Sequence, residues 1–313
     1  TYYRETLPKW VQEFNASGTA DRWFEQTWER SRPDVDYVRF AGPDDVEGEG
    51  LPRTFPHAMS TGEKKPGSKY YSAMYTSPFG NDFLAEFAKT CVNVEKLGTH
   101  PDADLLVVSF SSNDAVGHAW GPDSQEVLDV TLRSDVLMAD LLKFLDAKVG
   151  PGKYSVVLTA DHGVCPLPEV AAAKGLDAKR VAPAVLVRGA ETFLQAAFGK
   201  AAEGEPEAGK ALQWLEAVDP PFVYLNTRLI EAKKLDRETV SKALADWLLT
   251  QDGIARTFTR GQLGGDVPAS DEIGQKVKRG FRPDRCGDVV VVLKPYHFYS
   301  TGTGTTHGSP YPY

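Results

Sequence analysis

Leu105-Leu106-Val107-Val108-Ser109-Phe110-Ser111-Ser112-Asn113-Asp114-Ala115-Val116-Gly117-His118 opens as an apolar run and ends with an aspartate and a histidine four positions apart. The run is short and β-branched in its middle, as in a strand buried on both faces. A polar loop spans Ser111 to Pro122, and Asp123-Ser124-Gln125-Glu126 then reads as a helix start with Glu126 reaching back in a capping box. Leu128, Leu132, Leu137, Met138, Leu141, Leu142 and Leu145 keep a helical period until Gly150-Pro151-Gly152 stops it. Tyr154-Ser155-Val156-Val157-Leu158-Thr159-Ala160 reads as a second buried strand. Strand, long helix and strand make a βαβ unit, so the spacing predicts parallel strands. The fold class that follows is α/β, with a mostly parallel sheet flanked by helices.

Working outward, Thr6 to Phe14 opens a short helix with Trp10, Val11 and Phe14 on one face. Residues 41–69 are rich in Gly, Pro and charge and read as loop. Asn81 starts a helix to about Lys96, with Phe83, Leu84, Phe87 and Ala88 on its apolar face. Residues 186–270 read as an inserted α+β cap. Within it, Ala190 to Ala202 and Gly209 to Ala217 read as helices separated by the acidic turn Glu203 to Glu207. Phe222 to Leu225 reads as a strand, and Asp236 to Leu249 as an amphipathic helix. Gly287 to Leu293 is again a buried strand, followed by a Gly/Thr-rich loop from Ser300 to Gly308. The expected organisation is a partial α/β core, 1–185 and 271–313, interrupted by the cap.

The chain has 313 residues, 42% hydrophobic and 25% charged, ordinary for a globular protein. Its net charge of -8 argues against binding a nucleic-acid polymer, which calls for a basic face. It does not argue against a small phosphate ester, because bound metal supplies positive charge locally. No stretch approaches the roughly 18 apolar residues of a membrane span. No secretory signal is visible, and the first residue is Thr1. Cys91, Cys165 and Cys286 form no close pair, which disfavours a thiolate zinc site. At most one disulfide can form, and three free thiols is the simpler reading.

Three motifs carry chemistry: Asp114 with His118, Asp161-His162-Gly163, and Thr305-Thr306-His307-Gly308. Each follows an expected buried strand, at the sheet edge where open α/β folds bind ligands. Taken singly, an Asp-His pair also serves as a cap or a loop hydrogen bond. Taken together, these segments deliver two Asp and three His of a kind that suits zinc. Asp114 and His118 face one ion if they share a helical turn or a compact loop. Asp161 and His162 are neighbours, which a strand would send to opposite faces; a turn at Gly163 re-aims them. Asn113, Ser111, Ser112 and Thr306 stand where outer hydrogen-bond partners belong, although they also suit loop backbone. Thr303 and Thr305 read as loop-shaping residues. His57 and His297 read as structural, and His100 as solvated.

These motifs, with Gly121 to Glu126, Ser77-Pro78-Phe79-Gly80-Asn81, Leu7-Pro8-Lys9-Trp10-Val11 and Ser300 to Tyr311, resemble the alkaline phosphatase superfamily. The match is to its PafA-type branch, related to type I phosphodiesterases and nucleotide pyrophosphatases, and covers most of the chain outside 186–270. The resemblance implies two zinc ions, one held by Asp114, His118 and His307, the other by Asp161 and His162. It further implies hydrolysis of small-molecule phosphate monoesters through a covalent phosphoenzyme, in a periplasmic or secreted protein. The family's Thr or Ser nucleophile and an additional Asp have no counterpart in this sequence. The chain is therefore expected to be truncated at both ends and inactive alone. Alternatives are a phosphodiesterase or nucleotide pyrophosphatase, and a non-catalytic domain that binds metal or a partner.

Overall fold

Ser124 starts the longest helix in the fold, its side chain accepting a hydrogen bond from the Val127 N–H at 3.2 Å. That cap sits one residue later than expected, and Glu126 does not complete a capping box. Instead Glu126 is buried and its carboxylate meets His57 Nε2 at 3.1 Å. The computed structural model describes residues 4–45, 51–201 and 213–312. They fold as two units.

The first unit comprises the described residues up to Leu167, together with Thr303–His307. Its elements are α1 (Lys9–Ala16), β1 (Thr27–Trp28), α2 (Tyr37–Ala41), β2 (His57–Ala58), α3 (Ser68–Tyr75), α4 (Pro78–Val94), α5 (Ser112–Trp120) and α6 (Gln125–Lys148). β1 and β2 pair antiparallel, so part of the expected 41–69 loop is regular structure. α4 starts three residues before Asn81, with Pro78 in its first turn, where a missing N–H costs nothing.

The core beside α5 is aromatic. Trp28 and Trp120 are buried and meet edge to face with centroids 5.8 Å apart. His57 packs among Trp28, Phe55 and Trp120, the structural role expected for it. Asp129, on α6, gathers hydrogen bonds from Trp28 Nε1, Ser31 N and Oγ, Tyr37 Oη and Arg133 Nε. The helices are thus locked by ring packing around one buried carboxylate.

The two apolar runs depart from expectation. Neither 105–110 nor 154–160 forms a ladder with any described residue. Leu105 is 87% exposed and Val157 89%. An apolar sequence favours a buried strand, but a strand exists only when a neighbour supplies the opposing N–H and C=O groups. The parallel pair expected across α6 is therefore not formed among the described residues.

The second unit comprises Pro168–Gly302 and the described residues from Gly308 onward. Its elements are α7 (Pro168–Ala173), β3 (Lys179–Val181), α8 (Pro183–Phe198), β4 (Leu215–Asp219), β5 (Phe222–Leu225), α9 (Thr227–Ala232), α10 (Arg237–Leu248), β6 (Ile254–Thr259), α11 (Arg260–Gly264), α12 (Glu272–Gly280), β7 (Val289–Leu293) and β8 (His297–Tyr299). The expected cap, 186–270, lies inside it. The parallel pairing here is β3 with β8. The larger sheet runs β4-β5-β7-β6 and is antiparallel throughout.

β7 explains its own sequence. Val289, Val291 and Leu293 enter a cluster with Leu194, Trp214 and Leu244, while Val290 and Val292 join Phe258 and Leu263. Both faces are covered, so period-two alternation places an apolar side chain on each. The helix expected over Gly209 to Ala217 is replaced where it is described: Leu215–Asp219 is β4, paired antiparallel with β5. Cross-strand pairing outweighed local helix propensity there. Residues 209–212 and the acidic stretch Glu203 to Glu207 lie outside the described residues.

Candidate metal centre

α5 is placed by its first turn. The Ser112 N–H donates to Asn81 Oδ1 at 3.2 Å, and Asn113 Oδ1 accepts from Asn81 Nδ2 at 2.8 Å and Ser134 Oγ at 3.1 Å. Asn113 therefore ties α5 to α4 and α6. The approach at Gly80 is close: a Cβ there would stand 2.3 Å from Ser112 Oγ. With its start fixed, α5 presents Asp114 and His118 one turn apart, Oδ2 and Nε2 separated by 3.5 Å.

Asp161 and His162 follow the second apolar run, their carboxylate and Nε2 3.4 Å apart. His162 Nδ1 faces the Gly163 carbonyl at 3.1 Å. Gly117 lets α5 lie against this segment, since a Cβ there would stand 3.3 Å from Val164 Cγ2. His307 arrives on the last loop, stacked on His162 with centroids 3.5 Å apart and 4.9 Å from the His118 ring. Its Nε2 is 3.8 Å from Asp114 Oδ1. Ligand atoms of Asp114, His162 and His307 all lie within 4.8 Å of one another. All five sequence-expected ligands thus gather in the first unit. Asp161 is the most open, its side chain 85% exposed against about a third for Asp114, His118 and His307.

The donor set fits a cation. His118 Nδ1 and His162 Nδ1 each face a backbone carbonyl that can only accept, so each ring donates there and turns Nε2 toward the site. Those Nε2 atoms face the oxygens of Asp114 and Asp161 at 3.5 and 3.4 Å. Burial first, and the neighbouring His162 next, lower the His307 pKa from its ordinary value and favour the neutral ring. Asp114 Oδ1 is buried without a hydrogen-bond partner. A carboxylate oxygen buried without a donor among imidazole nitrogens is a lining that a cation satisfies.

One participant was not singled out from sequence. Thr305, read as loop-shaping, donates its N–H to the His118 carbonyl at 2.7 Å and offers its own carbonyl to His118 Nδ1 at 2.6 Å. Thr306, the expected outer partner, accepts the Cys165 N–H on its carbonyl at 3.0 Å. A ligating His needs an acceptor for its second nitrogen, but sequence does not reveal which backbone carbonyl turns toward it.

The pattern of the type I phosphodiesterase / nucleotide pyrophosphatase family matches residues 2–310. Alkaline phosphatase PhoV of Synechococcus elongatus is 31% identical over 317 residues, which is 100% of this chain and 54% of that protein. Alkaline phosphatase PafA of Elizabethkingia meningoseptica is 28% identical over 314 residues, 98% of this chain and 54% of that protein. The crystal structure of wild-type alkaline phosphatase PafA matches with a TM-score of 0.84 at 27% identity, covering 99% of this chain and 57% of that one. The chain spans about half the length of these relatives, and its fold is alkaline-phosphatase-like. Matched almost throughout its length and carrying its Asp and His segments on that fold, the chain belongs to the type I phosphodiesterase / nucleotide pyrophosphatase family.

Proposed function

We propose that this chain is the metal-holding part of a zinc-dependent phosphomonoesterase. Asp114, His118 and His307 hold one zinc ion, and Asp161 and His162 contribute to a second. The observation that carries this is the convergence of Asp114, His162 and His307, with Asp114 Oδ1 buried and unpartnered. Bound zinc supplies positive charge that activates an attacking oxygen and offsets charge on the leaving oxygen. The chain's own part is to hold the His118 and His162 rings through Nδ1, aim their Nε2 atoms at the site and leave Asp114 Oδ1 without a hydrogen-bond donor.

The similarity to named alkaline phosphatases supports monoester hydrolysis, and through the resemblance a covalent phosphoenzyme on a Thr or Ser. Thr305 does not suit that role, because its buried hydroxyl donates to the Cys165 carbonyl at 2.7 Å. In this reading the nucleophile comes from polypeptide outside this span, and the chain by itself turns over phosphate esters negligibly. Through the resemblance, a periplasmic or secreted location is part of this reading. None of the described helices is long and apolar enough to cross a membrane. The family pattern also favours a second reading, hydrolysis of phosphodiesters.

Equilibrium dialysis of the full-length protein against zinc tests the metal reading. About two ions per full-length protein are expected. A folded protein that takes up none would leave a non-catalytic binding domain as the better account. Hydrolysis of p-nitrophenyl phosphate against bis-p-nitrophenyl phosphate by the full-length protein separates the two substrate classes.

A further inference from the structure

The two halves of the centre differ in how they are anchored. Asp114 and His118 ride on α5, which is fixed by Asn81, Asn113 and Ser134. Asp161 and His162 ride on no helix or strand. The hydrogen bonds His162 makes to Asp161 and Gly163 are local and cannot place the segment in space.

The segment is hydrogen-bonded to the last loop. Cys165 donates its N–H to the Thr306 carbonyl at 3.0 Å, and its carbonyl accepts the Thr305 hydroxyl at 2.7 Å. Thr305 is 7% exposed. Its backbone N–H and carbonyl both engage His118, at 2.7 and 2.6 Å. A single buried residue, two positions before His307, therefore faces the α5 half with its main chain and the Asp161–His162 half with its side chain.

We propose that Thr305 is a positioning residue whose hydroxyl sets the Asp161–His162 segment at the distance from α5 that a second metal ion requires. The inference rests on the metal-binding reading above. It also predicts an asymmetry. The bonds to His118 are main-chain and survive any substitution that keeps the backbone in place. The bond to Cys165 is lost with the hydroxyl. The ion at Asp114, His118 and His307 should thus be retained while the ion at Asp161 and His162 is weakened.

The test compares Thr305→Val, which keeps the β-branched shape without the hydroxyl, with Thr305→Ser, which keeps the hydroxyl. Zinc affinities are read by chelator competition, and amide exchange is followed over 161–165. Thr305→Val is expected to bind one ion as wild type does and the other about 10–100-fold more weakly, as loss of an outer-shell partner does. Exchange over 161–165 should quicken, and Thr305→Ser should restore both. If Thr305→Val does not fold, Thr305→Ala makes the same comparison. Two ions bound as tightly as in wild type, both weakened alike, or no rescue by Ser would each overturn the proposal. Wild-type full-length protein that binds no zinc would overturn the metal-binding reading itself and this inference with it.

Discussion

Asp114 Oδ1 stands 3.8 Å from His307 Nε2, and Asp114 Oδ2 stands 3.5 Å from His118 Nε2. One carboxylate thus faces two imidazoles that lie far apart in the sequence, one on α5 and one on the last loop. His118 Nδ1 donates to the Thr305 carbonyl, which turns Nε2 toward the carboxylate. The His307 ring is biased toward neutrality by burial and by His162. At 3.5 and 3.8 Å these contacts are long for hydrogen bonds, and Asp114 Oδ1 has no donor, so they add little to the stability of the fold.

Asp114→Asn separates binding from stability on that basis. The amide keeps the carboxylate's size and adds a donor that either imidazole can accept. Zinc affinity is expected to fall by at least about 100-fold, beyond the loss typical of an outer-shell partner. The thermal midpoint of the metal-free protein should stay the same or rise. Chelator competition and a melt in excess chelator measure the two. A fall in both would mean that Asp114 serves the fold rather than a cation.

The candidate ligands were legible in the sequence because their chemistry is local: a DxxxH turn, a DHG turn and a THG turn each declare a residue type at a spacing. Much of the secondary structure was legible for the same reason. The α10 stripe and the all-apolar β7 run read directly as period and burial, and Asp236 caps α10 by accepting from the Thr239 N–H at 2.8 Å. What sequence concealed was every feature defined by a partner. Leu105 to Phe110 and Tyr154 to Ala160 have strand composition, yet composition cannot state whether a neighbouring strand is present to pair with them. Glu126 fits a capping box, but His57 took it. Trp214 and Leu215 lie inside the helix expected over Gly209 to Ala217, but their N–H groups are accepted by the buried carboxylate of Glu191, and Leu215 begins β4. Thr305 was invisible as an anchor because its bonds end on residues far away in sequence.

Asp129 offers a test of how the first unit is held. Five donors converge on this fully buried carboxylate. Burial pushes its pKa up, but the hydrogen bonds from Ser31, Tyr37 and Trp28 outweigh that and hold the carboxyl below its ordinary value. Asp129→Ala strands those donors and should cost about 3–5 kcal/mol, the range for breaking a buried charged network by removing one side. Urea denaturation of the metal-free chain measures it. A cost below about 1 kcal/mol would mean that water replaces the carboxylate easily.

In the second unit, Leu244 and Leu249 give a matched contrast on one helix. Leu244 is fully buried in the cluster with Leu194 and β7, whereas Leu249, at the α10 C-cap, is 46% exposed. Leu244→Ala should destabilise by about 2–5 kcal/mol through lost burial and the cavity left behind. Leu249→Ala should stay within about 0.5 kcal/mol. Similar costs for the two would contradict the burial of α10 described above.

The Arg256–Asp271 pair supplies a pH dependence with a definite sign. Asp271 caps α12, accepting the Gly274 N–H at 2.9 Å, and is gripped by both terminal nitrogens of Arg256, one at 2.6 Å. The Arg256 hydrogen bonds, then the cap, lower its pKa from 3.8 to about 2. A depressed folded-state pKa means that the unfolded chain takes up the proton first as pH falls. The stabilisation is therefore complete above about pH 4 and is lost as pH drops from there through about 2. Arg256→Gln removes the larger of the two causes. Against wild type, its urea midpoint should be lower near neutral pH, and the difference should shrink between about pH 4 and pH 2 as wild-type Asp271 takes up its proton. The pair is partly solvated, so added salt should narrow the neutral-pH difference as well. A difference that stays constant across that acid range would show that Arg256 acts through its guanidinium stacked over the Phe258 ring, 4.7 Å from the centroid, and not through the charge on Asp271.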